Sequence, residues 1–159
     1  MQLAKLFKVG HSKISFAEHH HAHAAAAYYG SHFSSDEKVL VITCDGSGDG
    51  LCATVSIGNN LSLERKQSTS RKASLGKIYS RVTFALGLQP WEHEYKVMGL
   101  APYADKKYAE EIKDILSSYL KISDDGLNFE CPDDIETNYL YESLRSDFEL
   151  KRFDAISGG

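Results

Sequence analysis

A mixed α/β domain, with an antiparallel β-meander flanked by helices, is what this sequence predicts, and three observations carry that reading. Two β-branched runs, Val39-Leu40-Val41-Ile42-Thr43-Cys44 and Leu51-Cys52-Ala53-Thr54-Val55-Ser56-Ile57, are joined by the glycine-rich segment Asp45-Gly46-Ser47-Gly48-Asp49-Gly50, as two buried strands meeting at a turn are. An alanine-rich stretch from His20 to Tyr29 precedes them and favours helix. Two amphipathic segments follow, residues 75–86 and 107–120.

In chain order, Ile14-Ser15-Phe16-Ala17 is a short apolar segment with the pattern of a strand leading into helix 20–29. After the two strands, Gly58-Asn59-Asn60 supplies turn residues, so Leu61 to Gln67 pairs back as a third antiparallel strand. Ser68 to Ser74 is polar and basic and reads as a loop. Leu75, Ile78, Tyr79, Val82 and Leu86 share a helical face that ends at Gly87. Residues 90–102, bracketed by prolines, read as irregular. Tyr108, Ile112, Ile115, Leu116 and Tyr119 line one face of the next helix. Asp124-Asp125-Gly126 is a turn, Cys131-Pro132-Asp133-Asp134 opens an acidic loop, and an apolar element begins near Phe153.

The 159 residues, 42% hydrophobic and 25% charged, suffice for one domain with its own core. With a net charge of -4 and basic residues scattered along the chain, no nucleic-acid partner is expected. No apolar run approaches the roughly 20 residues of a membrane helix, and residues 1–8 lack the apolar segment of a signal peptide. A cytoplasmic protein with no membrane partner is therefore expected. Cys44, Cys52 and Cys131 have no CxxC spacing and are expected to be reduced structural thiols.

Chemistry concentrates in Glu18-His19-His20-His21-Ala22-His23. On a helix, His19 and His23 lie four residues apart on one face, where two imidazoles can share a metal ion. The spacing alone leaves metal binding, a polar cap and buried structural histidines all open; the internal position argues against a tag remnant. Zinc-protease chemistry lacks its His-Glu-x-x-His. The segment Asp45 to Gly50 begins like an EF-hand loop, but Ser56 stands where the glutamate belongs. Gly48-x-Gly50-x-x-Ala53 imitates a dinucleotide fingerprint, but β-branched residues follow where a helix should open. What remains is a hairpin whose backbone N–H groups can approach a phosphate and whose Asp45 can reach a metal. Lys96 either neutralises a phosphate or is a surface lysine beside Glu94, while Lys77 and Arg81 are expected to be solvated on an exposed helix face.

Four motifs in order carry a resemblance: His19-His20-x-Ala22-His23-Ala24-Ala25, Asp45-Gly46-x-Gly48-Asp49, Ser74-Leu75-Gly76-Lys77-Ile78-Tyr79-Ser80-x-Val82-Thr83, and Glu94-Tyr95-Lys96-Val97-Met98-Gly99-Leu100-Ala101-Pro102-Tyr103. From Phe16 to Tyr103 the chain resembles the O-carbamoyltransferases of nodulation-factor and cephamycin biosynthesis. The resemblance implies a partial actin-like ATPase fold, with residues 1–159 forming one fragment of the N-terminal catalytic domain of a larger protein, inactive without the remainder of the polypeptide. It implies that His19, His23 and Asp45 hold a divalent metal, iron(II) foremost with zinc or manganese as alternatives. It further implies ATP bound with its phosphates near Gly46, Ser47, Gly48, Asp49 and Lys96. The partners implied are ATP, carbamoyl phosphate and a small-molecule hydroxyl acceptor, joined through a carbamoyl-adenylate. His21 stands where such proteins carry a nonpolar residue, and either adds a ligand or faces solvent. Two other readings compete: a transferase of the tRNA-threonylcarbamoyl or hydrogenase-maturation type, and a non-catalytic metal- or nucleotide-binding module.

Overall fold

Two tight turns that require positive φ shape the sheet. In the computed structural model, which describes residues 2–132, 135–149 and 151–159, strand β1 (Val39–Gly48) turns through Asp49 (φ 48°) and Gly50 (φ 84°) into β2 (Leu51–Asn59). Strand β2 turns through Asn60 (φ 49°) and Leu61 (φ 59°) into β3 (Ser62–Ser70). Left-handed residues at both central positions give a backbone twist that matches antiparallel strands. The sheet order is β1-β2-β3, antiparallel throughout, which is the expected meander.

The remaining elements are helical apart from a two-strand ribbon. A short helix α1 (Gln2–Leu6) precedes α2 (His19–Tyr29), and both come before the sheet. After it come α3 (Leu75–Ala85), α4 (Glu94–Leu100), α5 (Lys106–Tyr119), the ribbon β4 (Lys121–Ile122) and β5 (Phe129–Glu130), α6 (Tyr141–Asp147) and α7 (Phe153–Gly158). No helix among the described residues is long and apolar enough to cross a membrane.

Two apolar clusters form the interior. Helix α2 lies on one sheet face, where Ala24 and Tyr28 pack with Val41, flanked by Val39 and Leu63. Gly58 is required there, because a Cβ would stand 2.4 Å from the Tyr28 ring. The larger cluster joins Ile78 and Val82 of α3, with Leu86 at its C-terminal cap, to Val97, Ile112, Leu140, Leu144, Phe148 and Ile156. Leu140 and Leu144 are completely buried, each contributing about 1.5–3 kcal/mol of transfer free energy.

Several expectations need correction. Residues 14–17 form no strand, and Phe16 is exposed; an apolar run without a neighbouring strand has no ladder to join. Residues 68–70 belong to β3 rather than a loop, with Thr69 paired to Ala53 and buried, and a 3₁₀ turn occupies Arg71–Ala73. Polar composition misleads there because serine and threonine hydroxyls find partners within a sheet. The stretch between the prolines holds α4, since Pro102 sits in the first turn of the following 3₁₀ segment, where a missing N–H costs nothing. Gly58 and Asn59 are strand residues, and the turn falls one step later. Asp133 and Asp134 of the expected acidic loop lie outside the described residues.

Candidate metal centre

Helix α2 begins where three carboxylate oxygens meet its unpaired N–H groups. Glu18 is the N-cap, accepting from the His20 N–H at 3.2 Å and the His21 N–H at 2.7 Å, and Asp49 Oδ2 accepts from the His19 N–H at 2.8 Å. Arg65 on β3 pairs with Glu18. Burial pushes the Glu18 carboxyl up, but the hydrogen bond from Arg65, the N–H groups of His21 and His20 and the Arg65 charge outweigh it and bring it down to about 2. The β1–β2 hairpin is thereby fastened to the helix through Asp49, and β3 through the Glu18–Arg65 pair.

Strand β1 departs from regular pairing at the functional stretch. Cys44 pairs with Ala53 and Gly48 with Leu51, so Asp45, Gly46 and Ser47 stand opposite Cys52 alone. A bulge of this kind re-aims side chains, and here it turns Asp45 toward α2. The His19 Nε2 lies 2.7 Å from Asp45 Oδ2, the His23 Nε2 lies 3.6 Å from the same oxygen, and the two Nε2 atoms are 3.1 Å apart. This is the one group of histidine, cysteine and acidic side chains among the described residues that gathers three ligand atoms within 4.8 Å. The hydrogen bond from His19, ahead of the opposing effect of burial, holds the Asp45 carboxyl below the usual carboxylate range, helped by the Gly46 N–H.

Glycines make this approach feasible. A Cβ at Gly48 would lie 2.1 Å from the His19 ring, and one at Gly76 would lie 3.1 Å from Gly46 Cα. Ser74, completely buried, reaches across the second contact: its hydroxyl caps α3 by accepting from the Lys77 N–H at 3.2 Å and donates to the carbonyl of Gly46 at 2.8 Å.

The expected site residues therefore divide. His19, His23 and Asp45 converge, while His21 is exposed and meets Glu18 only through its N–H. Gly46 and Ser47 lie in the bulge, Gly48 resumes pairing at its end, and the Asp49 carboxylate is engaged by the helix. Lys96, on α4, has its ammonium 5.8 Å from the Tyr95 ring. The lysine beside the hairpin is Lys77, whose stem lies 4.0 Å from the place a Gly46 Cβ would occupy and whose ammonium sits 4.4 Å over the Trp91 ring. Burial and then the Arg81 charge lower the Lys77 pKa, against the pull of Asp45. Arg81 is not solvated: it is 5% exposed and bonds the Asn138 carbonyl and side chain. Lys77, expected to be solvated, instead lies beside the hairpin, and neither Ser74 nor Trp91 was assigned a role at the site; the capping position of Ser74 before an apolar helical run was the available signal.

Residues 1–149 match the family described as Carbamoyltransferase N-terminus. The chain belongs to that carbamoyltransferase N-terminus family. It is 34% identical over 119 residues to the nodulation protein NolNO of Sinorhizobium fredii, covering 75% of this chain and 16% of the relative. It is 33% identical over 108 residues to the nodulation protein NolO of Bradyrhizobium diazoefficiens, covering 68% of this chain and 18% of the relative. It is also 36% identical over 103 residues to the uncharacterized protein sll1178 of Synechocystis, covering 65% of this chain and 16% of that protein. The chain thus matches less than a fifth of the length of these relatives.

Proposed function

We propose that this chain is the metal-holding part of an ATP-dependent O-carbamoyltransferase with an actin-like ATPase fold, working in the cytoplasm with the rest of a longer polypeptide. The observation that carries the reading is the convergence of His19 and His23 from α2 with Asp45 from the bulge of β1. The donor set fits a divalent cation: two imidazole nitrogens and one carboxylate oxygen suit iron(II), zinc or manganese, and three protein ligands leave open positions for substrate oxygens. When bound, such an ion supplies Lewis acidity toward an oxygen of the carbamoyl donor or the acceptor.

The chain's own residues prepare that site. Glu18 and Asp49 hold the first turn of α2, which orients both imidazoles, and Ser74 holds the carbonyl of Gly46 against α3, which orients Asp45. The bulged backbone at Gly46 and Ser47 offers a phosphate close approach, since Gly46 lacks a side chain, whereas the space over Gly48 is taken by the His19 ring. Lys77 beside Gly46 supplies the positive charge there, a better-placed candidate than Lys96. In the reaction proposed, water cleaves carbamoyl phosphate to carbamate and inorganic phosphate, and a carbamate oxygen then bonds to the α-phosphorus of ATP as pyrophosphate leaves; the acceptor hydroxyl oxygen next bonds to the carbamoyl carbon, loses its proton, and AMP departs.

The test uses the intact polypeptide that contains this chain. Incubated with ATP and carbamoyl phosphate, it should release pyrophosphate, and Asp45→Asn should reduce the rate by at least about 10- to 100-fold with its circular dichroism unchanged. A folded Asp45→Asn protein with full release overturns the assignment.

A further inference from the structure

His20 stands between the two imidazoles of the proposed metal site in sequence but faces inward, and nothing in that reading uses it. It is completely buried. Its Nδ1 lies 2.9 Å from Thr43 Oγ1, which lies 2.7 Å from Thr54 Oγ1 and also accepts from the Thr54 N–H at 3.1 Å. Thr43 and Thr54 are a directly paired cross-strand couple of β1 and β2. Its Nε2 is buried with no hydrogen-bond partner among the described residues.

We infer that His20 is a positioning residue: through Thr43 and Thr54 it locks α2 against the sheet at the height that lets His19 and His23 meet Asp45. Thr43 is two residues before Asp45 on β1, and His20 is one residue after His19 on α2, so a single hydrogen bond ties together the two elements that supply all three ligand atoms. The His20 ring also stands edge-on to the His19 ring, with centroids 5.3 Å apart, which limits the rotation of His19. Packing alone gives no reason for an imidazole here. A leucine fills comparable space without burying an unpaired nitrogen, and buried polar groups without partners are destabilising. The polar residue is explained if it fixes register, because a hydrogen bond fails over a displacement that an apolar contact tolerates.

The inference rests on the metal reading above, and the experiment separates the two. Zinc(II) is titrated calorimetrically into the wild type, Thr43→Val, His20→Asn, the pair His20→Leu with Thr43→Val, and His19→Ala, with the melting temperature of each measured in parallel. The isosteric Thr43→Val should weaken zinc binding about 10-fold. His20→Asn, whose amide can still meet Thr43, should retain more affinity than the apolar pair. That pair should melt no lower than Thr43→Val alone, because His20 and Thr43 are removed together while Thr54 loses the same partner in both variants, yet bind zinc at least about 10-fold more weakly than the wild type. Affinity that stays lost while stability is regained is a result that a merely structural contact does not produce. Native zinc affinity in Thr43→Val and in the pair, together with loss in His19→Ala, overturns the role of His20 alone. If the pair does not fold, Thr43→Val decides by the same criterion. Undiminished zinc binding in His19→Ala overturns the metal reading, and this inference with it.

Discussion

Gly48 lies directly under the His19 ring: a Cβ added there would come within 2.1 Å of His19 Cδ2 and 2.2 Å of its Cγ. The close approach is what lets the hairpin end at Asp49, whose carboxylate accepts the His19 N–H, while Asp45 meets the same residue's side chain. One histidine is therefore held by its backbone and its ring to the two ends of one bulged segment.

Gly48→Ala should consequently expel the His19 ring more than it harms the fold. The ring is 38% exposed and can swing outward, so the overpacking penalty stays near the low end of about 1–3 kcal/mol. Metal affinity should fall at least about 10-fold. Paired thermal melts and zinc titrations check this, and a variant that loses stability but keeps affinity contradicts it.

Ser74→Ala removes the cap of α3 and the hydroxyl donated to the Gly46 carbonyl at a fully buried position. The expected loss is about 1–3 kcal/mol of stability, measured by chemical denaturation. A change below about 0.5 kcal/mol, the scale of an ordinary surface substitution, would show that Ser74 does not join α3 to the hairpin.

Much of this arrangement was legible before the structure. The β-branched runs around Asp45 to Gly50 define β1 and β2, and the alanines define α2, because local propensity and tertiary burial agree there. Helical spacing places His19 and His23 on one face, while their grouping with Asp45 is what the resemblance to the O-carbamoyltransferases implies. The bulge that aims Asp45 was not legible, because the register of β1 depends on which residues of β2 oppose it. Lys77 reads as a solvated helix residue for a similar reason: it lies on α3, and only the close contact of Gly76 with Gly46 brings it to the hairpin. Arg81 was misjudged because its partner Asn138 lies 57 residues away, beyond any local pattern.

Trp91, the only tryptophan in the chain, reports on the loop before α4. Its backbone N–H donates to Glu94 Oε1 at 2.7 Å, which also accepts from the Ser80 hydroxyl at 3.0 Å. Burial pushes the Glu94 carboxyl up, but these hydrogen bonds, its own N–H and His93 hold it below its ordinary 4.5. A carboxyl lowered in the folded state stabilises above its unfolded pKa, and that contribution is lost as pH falls through the folded value. Stability should therefore decline below about pH 4.5 with a change in Trp91 fluorescence, and Glu94→Gln should flatten that component. An identical acid profile in the variant contradicts the assignment.

Cys52 is 1% exposed, and its thiol faces the carbonyls of Ser70 and Ala73. Burial, with the Cys44 thiol adding to it, pushes its pKa up to about 12. Near neutral pH the thiol is therefore almost wholly protonated. Mass spectrometry after alkylation should find Cys52 unmodified in the folded protein and modified after denaturation; modification at the same rate in both states contradicts its burial.

That α2 and the bulge of β1 form one metal site is decided by titrating zinc(II) into the chain, into His19→Ala, His23→Ala and Asp45→Asn, and into the double variant His19→Ala with His23→Ala. The chain should show one site, with each single substitution lowering affinity at least about 10-fold while circular dichroism stays unchanged. Affinity undiminished in the double variant rules that site out.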